Sequence, residues 1–448
     1  MSENDQALAY ARRWLGIIQK SSLSPAEAEE IVAETVHNFA QHFNRGFLEY
    51  RKSVTVLGGY AATEWRGEGA VVEDVFGRRW IDCLGCYGLL DLGWSHPKVV
   101  EAVSAQLRRS PMPSQELLDP LRGVLARLLA MITPGDLQYF FFAAGGTEAV
   151  EGALKLAKLY TGKSGFITSL RAFHGKTLGS LSLMGKKDFR QPALPLYPHV
   201  YWVPFGDAGA VEQQLEIALA VGLDIAAVIM EPIQGEAGAI VPPDDFWPRL
   251  RQLCDQYGVL LIADEVQTGV GRTGKMWGVD HWQVVPDIIT MGKSLGGGVM
   301  PVSAFGAREE IWQVMMEPNP FIHTTTTGGN PLACAAAIAA ITVTLEENLP
   351  QMAAEKGEYF KKGLALLAQR YPNLYEKITG RGLLLAQHFH NPEIGYQIAS
   401  GLFKRGVLVA GTLTNAKTIR IEPPIYISYE QMDTVLDCLE DTLREVKA

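Results

Sequence analysis

The sequence predicts an α/β protein built around a mainly parallel sheet. Short, strongly apolar runs at residues 138–143, 226–233, 259–266 and 286–292 are typical of buried strands. Helices are predicted between these runs, among them the segment DDFWPRLRQLCDQYG. Strands that alternate with helices imply crossover connections, and therefore strands that run mostly parallel to one another.

A helical extension is predicted over residues 1–45. Ser24 is placed to cap a helix, Pro25 takes its first turn, and Glu27 stands where a capping box requires an acid. Apolar residues then follow at spacings of four, three and four: Val32, Val36, Phe39 and Phe43. A single apolar stripe of this kind indicates a docking or dimer-interface helix rather than a catalytic element.

The rest of the chain is predicted to form two domains with soft boundaries. Residues 96–340 would form the large domain, since strands and helices alternate there. Residues 46–95 and 341–448 would together form a small α+β domain. The last helix is expected to begin at Ser428, with Gln431 completing a capping box. Its apolar face comprises Met432, Val435, Leu436, Leu439 and Leu443.

Composition excludes several classes of protein. Apolar residues make up 47% and charged residues 20%, which excludes disorder as the main state. The 40 Lys and Arg against 49 Asp and Glu give a formal net charge of −9, which argues against a general nucleic-acid binder. The sequence has no signal segment and no apolar run of the ~18 residues that a membrane helix needs. We therefore expect a cytoplasmic protein without membrane contact.

The five cysteines do not form the pattern of a disulfide framework, which favours a reducing compartment. Cys83 and Cys86 have C-x-x-C spacing, but no second Cys or His pair follows at the spacing of a zinc site. No metal is therefore expected.

Two short motifs match known signatures only in part. Residues 269–274 have the spacing of a dinucleotide fingerprint, but no helical stripe follows them. Extended to Lys275 the segment resembles a P-loop, yet Met276 stands where a Ser or Thr must reach magnesium. Residues 292–296 match the G-x-S-x-G elbow of serine hydrolases, with Ser294 as nucleophile, although a poor helix start follows. A serine hydrolase therefore stays a remote alternative.

Two charged residues at predicted strand ends carry the main chemical argument. Asp264 ends the apolar run VLLIAD, where an unpaired carboxylate costs several kcal/mol and so requires a partner. Lys293 ends the next predicted strand, inside a glycine-rich turn. Each residue alone has an ordinary structural explanation, but together they suggest a cofactor with a ring cation and an aldehyde. Pyridoxal phosphate (PLP) has both, since it takes a lysine Schiff base and a carboxylate on its pyridine nitrogen.

The phosphate of such a cofactor needs an anion site. The turn Gly145-Gly146-Thr147 opens a predicted helix, where free backbone N–H groups and the positive helix end bind an anion. Phe173, which precedes His174, is a candidate to stack on the ring.

Further motifs resemble those of the class III aminotransferases, which have fold type I. The matching segments cover nearly the whole chain: SQELLDP (114–120), AFHGKTLG (172–179), EPIQGEAG (231–238), DEVQTGVGRTG (264–274), GKSLGGGVMP (292–301) and GGNPLACAAA (328–337). The resemblance implies a large domain with a seven-stranded, mainly parallel sheet, a small α+β domain and PLP as cofactor. It also implies a homodimer or a dimer of dimers, with active sites at the subunit interface.

The resemblance further implies a role for each matching residue. Lys293 would bind the cofactor covalently and move a proton, and Asp264 would keep the pyridine nitrogen protonated. Arg420 would hold the carboxylate of 2-oxoglutarate, a bidentate task suited to guanidinium. Glu236 would neutralise that arginine when an amine occupies the site, and Gln115 would contact substrate. The cofactor-binding set would be Gly145, Gly146, Thr147, Phe173, His174, Asp264, Gln267, Lys293 and Thr326.

The resemblance also implies which part of the cofactor two of these residues would contact. Gln267 would lie near the ring hydroxyl, and Thr326 would reach the phosphate held by the partner subunit. The chain also departs from the family twice. Ala144-Gly145 stands where a Ser is common, and a lost hydroxyl contact to phosphate is worth roughly 1–3 kcal/mol. Thr327 stands where an aromatic residue is common. We expect weaker cofactor binding, unless backbone donors and water compensate, and altered packing at Thr327.

The reaction that the resemblance implies is ping-pong transamination between a terminal diamine, such as putrescine or cadaverine, and 2-oxoglutarate. Putrescine would give 4-aminobutanal, which cyclises to 1-pyrroline, and glutamate. Ornithine, acetylornithine or 4-aminobutyrate is the alternative donor, since relatives that use them share Arg420 and Glu236. A catalytically silent protein that only binds PLP is a further alternative.

Overall fold

The computed structural model describes residues 3–54 and 62–446. The described residues form two compact units, one within Met1–Gly67 and Val72–Trp80 and one within Glu68–Val71 and Ile81–Ala448. The division into an extension, a large domain and a small domain stays a prediction.

The first unit is mainly helical. Its helices and its first strand are α1 (Glu3–Ile18), α2 (Pro25–Asn38), α3 (Arg45–Val54) and β1 (Glu64–Glu68), and a π-helical segment (Phe39–Phe43) follows α2. The predicted capping box is present, because the Ser24 backbone N–H donates to the Glu27 carboxylate at 2.9 Å and the Ser24 hydroxyl accepts from the Glu27 N–H at 3.4 Å.

The apolar stripe predicted for this region is only partly right. Ala28 and Ile31 are the buried residues of α2, and they pack with Ile17 and Val75. Phe43 is 72% exposed. The reason is the π-helical segment, whose wider turn changes the angle between successive side chains and so shifts the stripe.

The chain then passes through β2 (Val71–Asp74) and β3 (Arg79–Asp82) into the elements that build the second unit. The first of these are α4 (Gly85–Gly88), α5 (Pro97–Arg109), α6 (Pro120–Ile132), β4 (Tyr139–Ala143), α7 (Gly146–Thr161), β5 (Gly165–Ser169), α8 (Leu178–Ser182), α9 (Lys187–Arg190), β6 (Val200–Val203), α10 (Ala208–Ala220), β7 (Ile225–Met230), α11 (Phe246–Tyr257), β8 (Leu260–Asp264), β9 (Ile288–Met291), β10 (Ser303–Ala307) and α12 (Glu309–Met316). The later ones are α13 (Pro331–Glu346), α14 (Leu349–Arg370), β11 (Tyr375–Arg381), β12 (Leu384–Phe389), α15 (Pro392–Lys404), β13 (Val407–Leu408), β14 (Ala410–Gly411), β15 (Thr418–Ile421) and α16 (Tyr429–Glu445).

A seven-stranded sheet forms the centre of the second unit, in the order β4-β10-β9-β8-β7-β5-β6. All neighbouring pairs are parallel except the two that β10 makes, which are antiparallel. Strands β7, β8 and β9 are buried along their whole length, as parallel strands covered on both faces must be. The predicted mainly parallel, seven-stranded sheet is therefore confirmed, as are the four strands that the apolar runs indicated.

A smaller antiparallel sheet, β11-β12-β15-β14, lies in the C-terminal part of the chain. Strand β12 is buried at every position, and helix α16 packs in the same cluster through Met432, Val435, Leu439 and Leu443. The predicted capping box of α16 is confirmed, since the Gln431 N–H donates to the Ser428 hydroxyl at 3.1 Å and the Ser428 N–H donates to the Gln431 side chain at 2.9 Å.

The large sheet determines where the candidate site lies. Strands β4, β8 and β9 point the same way, because β10 runs antiparallel to both β4 and β9. Their carboxyl ends, followed by the 144–147 turn, Asp264 and Lys293, therefore meet at one edge of the sheet, where open α/β sheets bind ligands.

Among the described residues, no single helix has both the length and the apolar composition of a membrane span. In the part of the chain that the structure describes, α13 and α14 reach this length and composition only jointly, and that pair is bent by 65°.

Candidate active site

Asp264 is the last residue of β8, and its carboxylate is almost completely buried. One oxygen accepts from the Val266 N–H at 3.1 Å and from the Thr290 hydroxyl at 3.0 Å. The other is 2.6 Å from Nδ1 of His174. These contacts satisfy the partner requirement of a buried carboxylate and fix its orientation.

His174, the hydrogen-bonding neighbour of Asp264, is itself buried, and its Nε2 lies 3.2 Å from the Thr168 hydroxyl. Burial alone would lower the pKa of His174, but the hydrogen bond and charge of Asp264, with a smaller contribution from Glu231, raise it above the ordinary value. A proton is therefore favoured on His174, which places a positive charge beside the Asp264 carboxylate.

Glu231 is a third buried acid in this group. Its carboxylate accepts from the backbone N–H of Phe173 at 3.1 Å and of Gly235 at 3.2 Å. Burial raises the pKa of Glu231 to about 7, with the charge of His174 opposing and that of Asp264 adding to the rise. Glu231 thus joins the segment that carries Phe173 to the loop after β7.

Lys293 follows β9 as the first residue of a short 3₁₀ helix, Lys293–Gly296. Its backbone has φ +46°, in the left-handed region that a residue with a side chain rarely adopts. Within the described residues its amine has no hydrogen-bonding or ion-pair partner. Burial lowers the pKa of Lys293, and Arg420 lowers it further, although Glu422, Glu236 and Asp264 act in the opposite direction. This amine is thus more easily uncharged, and hence nucleophilic, than an ordinary lysine.

The predicted phosphate turn joins β4 to α7. The backbone N–H groups of Ala144 and Gly145 donate to the Glu148 carboxylate at 3.1 and 2.7 Å. The N–H groups of Gly146 and Thr147 lie in the first helical turn, where no intrahelical acceptor exists. They are therefore the backbone donors of this turn that are open to an anion. Ala144 and Gly145, where the sequence differs from the family, have backbone amides that already donate to Glu148.

Close packing explains the glycine in this turn. A Cβ on Gly146 would lie 2.7 Å from the side chain of Val266, two residues after Asp264. The Thr147 hydroxyl is 2.8 Å from that of Thr177 and 2.6 Å from that of Ser180. The turn is thus held against both the β8 end and the segment that follows His174.

Phe173 and Gln267 flank this edge of the sheet. Phe173 is half-buried and is held through its backbone by Glu231. The Gln267 amide donates to the Tyr87 carbonyl at 3.2 Å and to the Glu422 carboxylate at 2.9 and 3.1 Å. Gln267 therefore connects the loop after β8 to the residues around Arg420.

Arg420 is completely buried on β15 between two carboxylates. Its Nη1 is 2.7 Å from Glu236, and its Nε is 3.9 Å from Glu422. The guanidinium also lies 5.2 Å from the centre of the Tyr87 ring. Burial would lower the pKa of Arg420, but Glu236 and Glu422 raise it. All three guanidinium nitrogens are buried without a well-directed hydrogen bond, so they can still receive an acceptor such as a carboxylate.

Gln115 and Thr326 are brought together by the fold, because the Gln115 amide donates to the Thr326 carbonyl at 2.6 Å. Both residues are exposed, and within the described chain neither has a hydrogen bond or ion pair with Lys293, Asp264 or Arg420. Their roles toward substrate and toward a partner's phosphate stay predictions.

The residues of the two partly matching motifs are held in contacts within the protein. Ser294 is buried and hydrogen-bonds Asp91, which pairs with the buried Arg272 of the 269–274 segment. Arg272 also donates to the carbonyls of Leu383 and Pro423, at 3.0 and 2.6 Å. These contacts connect the 269–274 segment to other loops of the chain, and among the described residues Ser294 has no hydrogen bond to a histidine.

The residues at this sheet edge fit PLP. A half-buried lysine amine without a partner suits an aldehyde, a fixed buried carboxylate suits a ring cation, and two open amides at a helix start suit a phosphate. Phe173 and Gln267 lie in the loops that follow β5 and β8, at the same edge of the sheet. The residues that would hold the cofactor are therefore Lys293, Asp264, Gly146 and Thr147, with Phe173 and Gln267 beside it.

Sequence reasoning missed three side chains of this site. Thr290 and Glu231 act on Asp264 and its neighbours, and Glu422 contacts Gln267 and Arg420. Thr290 lies in the apolar run before Lys293, and Glu231 begins the matching segment EPIQGEAG. Both residues therefore lay in segments that the sequence analysis used, but neither was assigned a role. The sequence did contain a signal for Thr290. A hydroxyl inside an apolar strand needs a hydrogen-bond partner, and the neighbouring predicted strand ends in Asp264.

The chain is similar to known proteins over most of its length. The family model for class III aminotransferases matches residues 59–443. A putrescine aminotransferase of Pectobacterium atrosepticum is 51% identical over 96% of this chain and 92% of its own. Among solved structures, ornithine aminotransferase of Toxoplasma gondii is 29% identical, covering 95% of this chain and 98% of its own, with a TM-score of 0.81. A PLP-bound amine transaminase from an uncultivated Pseudomonas species is 31% identical, covering 86% and 95%, with a TM-score of 0.80. The chain therefore belongs to the class III aminotransferases and is a PLP-dependent enzyme that transfers an amino group from a small-molecule amine to a keto acid.

Proposed function

We propose that the amine donor is a terminal diamine, with putrescine preferred, and that the keto acid is 2-oxoglutarate. The products are then 4-aminobutanal, which cyclises to 1-pyrroline, and glutamate. The observation that carries this proposal is the buried Arg420 between Glu236 and Glu422. One guanidinium suits the distal carboxylate of 2-oxoglutarate, while Glu236 neutralises it when a donor without a carboxylate enters. The 51% identity with a putrescine aminotransferase supports the same donor.

In this proposal Lys293, Asp264, Arg420 and Glu236 each have a separate role. When bound, PLP supplies an aldehyde for the amine and an electron sink for the electron pair released at the amine carbon. Lys293, whose pKa is lowered by burial, takes the proton from that carbon and returns it. Asp264, fixed by His174 and Thr290, keeps a negative charge opposite the ring nitrogen. Arg420 orients the keto acid, and Glu236 accompanies Arg420 when no carboxylate is present.

Ornithine and acetylornithine are the alternative donors, and aminotransferases for both are among the similar structures, at 29% and 32% identity. These identities are lower than that with the putrescine enzyme, and both donors carry a carboxylate that would meet Glu422 as well as Arg420.

The test is a half-reaction without keto acid. The purified holoenzyme is mixed with putrescine, ornithine or 4-aminobutyrate, and the conversion of bound cofactor to its amine form is followed by absorbance. We expect putrescine to react fastest and Lys293→Ala to abolish conversion, whereas Lys275→Ala, which changes an exposed lysine, should match the wild type. Faster conversion by ornithine or 4-aminobutyrate would reject the diamine.

We also propose that the enzyme is a homodimer or a dimer of dimers in the cytoplasm. Leu118 is fully exposed and Phe321 is 77% exposed, near the exposed Gln115 and Thr326, and such apolar exposure marks a protein interface. Within the described residues none of the five cysteines forms a disulfide, which fits a reducing compartment. Light scattering tests the assembly, since a particle of one chain's mass in solution is incompatible with it.

A further inference from the structure

Glu422 follows β15 and is a completely buried acid for which the mechanism above has no catalytic task. Two glycines let the chain pack against it. A Cβ on Gly88, which has φ +83°, would lie 2.6 Å from the Glu422 carboxylate, and a Cβ on Gly85 would collide with the Glu422 carbonyl. The backbone therefore packs closely against Glu422, and a side chain at either of these two positions would collide with it.

The Glu422 carboxylate is incompletely paired. Its hydrogen-bond donor is the Gln267 amide, at 2.9 and 3.1 Å, and Nε of Arg420 lies at 3.9 Å, beyond hydrogen-bond distance. A carboxylate has about four acceptor positions. Burying a charge with so few donors is unfavourable unless a further cation is present when the site works.

The charges around Arg420 also leave a negative excess. Glu236 holds the guanidinium at 2.7 Å, so Glu422 is a second carboxylate beside a cation that is already paired. Among the neighbouring charges, Glu422 has the largest effect on the pKa of Lys293 and opposes the lowering that burial causes, so its charge acts on the amine that the substrate must approach. A ligand with one reacting amine and one distal ammonium would restore the charge balance.

We infer that Glu422 is the specificity residue that binds the distal ammonium of the diamine donor, which rests on the proposed function. Gln267 orients the carboxylate, and Arg420 stays with Glu236 while the donor is bound. A donor with a distal carboxylate instead meets the charge of Glu422, which disfavours it. The same charge is tolerated in the 2-oxoglutarate half-reaction, because that ligand displaces Glu236 and takes the open guanidinium nitrogens.

The experiment compares three donors in wild type and Glu422→Gln: putrescine, butylamine and 4-aminobutyrate. They share a four-carbon chain and differ in the distal group, which is an ammonium, a methyl or a carboxylate. The glutamine keeps the volume and an acceptor for Gln267 but removes the charge. We expect kcat/KM for putrescine to fall about 10- to 100-fold, mainly through KM, because the lost contact is a charge-assisted hydrogen bond. Butylamine should be unchanged, and 4-aminobutyrate should improve.

Two controls separate specificity from damage. Glu376→Gln removes an exposed acid of β11 and should leave all three donors unchanged. In Glu422→Gln, the 2-oxoglutarate half-reaction should not slow, whereas displacement of Arg420 would slow it. Glu422→Asp, the second variant, keeps the charge but withdraws it by one methylene, so the preferred donor should shift from putrescine toward cadaverine.

Binding without turnover gives an independent readout. Calorimetry of the holoenzyme with tetramethylputrescine, a dication that cannot transfer an amino group, should show weaker binding in Glu422→Gln than in wild type. If wild type prefers 4-aminobutyrate to putrescine, the proposed function fails and this inference with it. If wild type prefers putrescine but both Glu422 variants keep its diamine-to-monoamine ratio and chain-length optimum, only the role of Glu422 is overturned.

Discussion

The candidate site has two groups of buried charges that are built differently. The ring cluster, defined as Asp264, His174, Thr290 and Glu231, is closed: each oxygen of Asp264 has a fixed partner at 2.6–3.1 Å. The arginine cluster, defined as Arg420, Glu236 and Glu422, is open: the guanidinium is buried between two acids, yet its nitrogens lack well-directed hydrogen bonds.

The difference matches the role that we propose for each cluster. A group that stabilises charge on a ring works best when its dipoles are fixed beforehand, because no reorganisation is then needed during the reaction. A group that serves two substrates in turn cannot be fixed in one arrangement, since an amine and a dicarboxylate need opposite charges opposite them. We therefore expect changes in the ring cluster to affect both half-reactions equally and changes in the arginine cluster to affect them unequally.

Asp264→Asn should produce the largest effect. The amide keeps an oxygen for Thr290 or His174 but removes the negative charge, and loss of one preorganised electrostatic contact costs about 10²–10³-fold in rate. The loss should be similar in the putrescine and 2-oxoglutarate half-reactions, measured by rapid mixing. Cofactor content is checked by absorbance so that lost PLP is not mistaken for lost rate. A loss confined to one half-reaction would mean that the ring cluster also discriminates between substrates.

Arg420→Ala should come next and should act on one half-reaction. Charge-assisted hydrogen bonds are worth roughly 1.5–3 kcal/mol each, so the 2-oxoglutarate step should slow by at least about 100-fold. The putrescine step should slow far less, because a diamine has no carboxylate. Arg420→Lys, which keeps the charge without the planar fork, should be intermediate for the keto acid. Equal losses in both steps would contradict the role of Arg420.

The fold was predictable where strands are strongly apolar. The runs that contain β7, β8 and β9 were identified because a strand buried on both faces has few alternatives. Strand β10, SAFGA, has little apolar character of its own, and its place depends on antiparallel pairing with β4 and β9. Such a pairing is set by tertiary structure, which local sequence patterns do not contain.

The site was predictable to a similar depth. Asp264 and Lys293 stand out because a charge at the end of an apolar strand needs an explanation. Glu422 had no such signal: it follows the short segment TIRI, and its importance arises from Gln267, Gly88 and Arg420, which come from distant parts of the chain. Residues whose role lies in contacts between distant segments could not be predicted from spacing alone.

Glu231→Gln should have the smallest effect on rate, but it tests whether the ring cluster contains a titrating member. Burial raises the pKa of Glu231 from 4.5 to about 7. Between these values the native state binds more protons than the unfolded state, so this group's contribution to stability is full below about pH 4.5 and is lost as the pH rises through about 7. In Glu231→Gln, which has no carboxyl group at this position, this contribution to the pH dependence of stability should be absent.

The measurement is the difference in Tm between pH 5 and pH 8 for wild type, Glu231→Gln and the exposed control Glu376→Gln. The full pKa shift corresponds to roughly 3 kcal/mol, and neighbouring charges that titrate in the same range reduce what is observed. Wild type and Glu376→Gln should lose more Tm toward pH 8 than Glu231→Gln does. Because His174 also has a raised pKa and loses its proton as the pH rises, Glu231→Gln should retain part of the decline. Equal declines in all three proteins would show that Glu231 is ionised throughout, and the ring cluster would then hold three charges rather than exchange a proton near neutral pH.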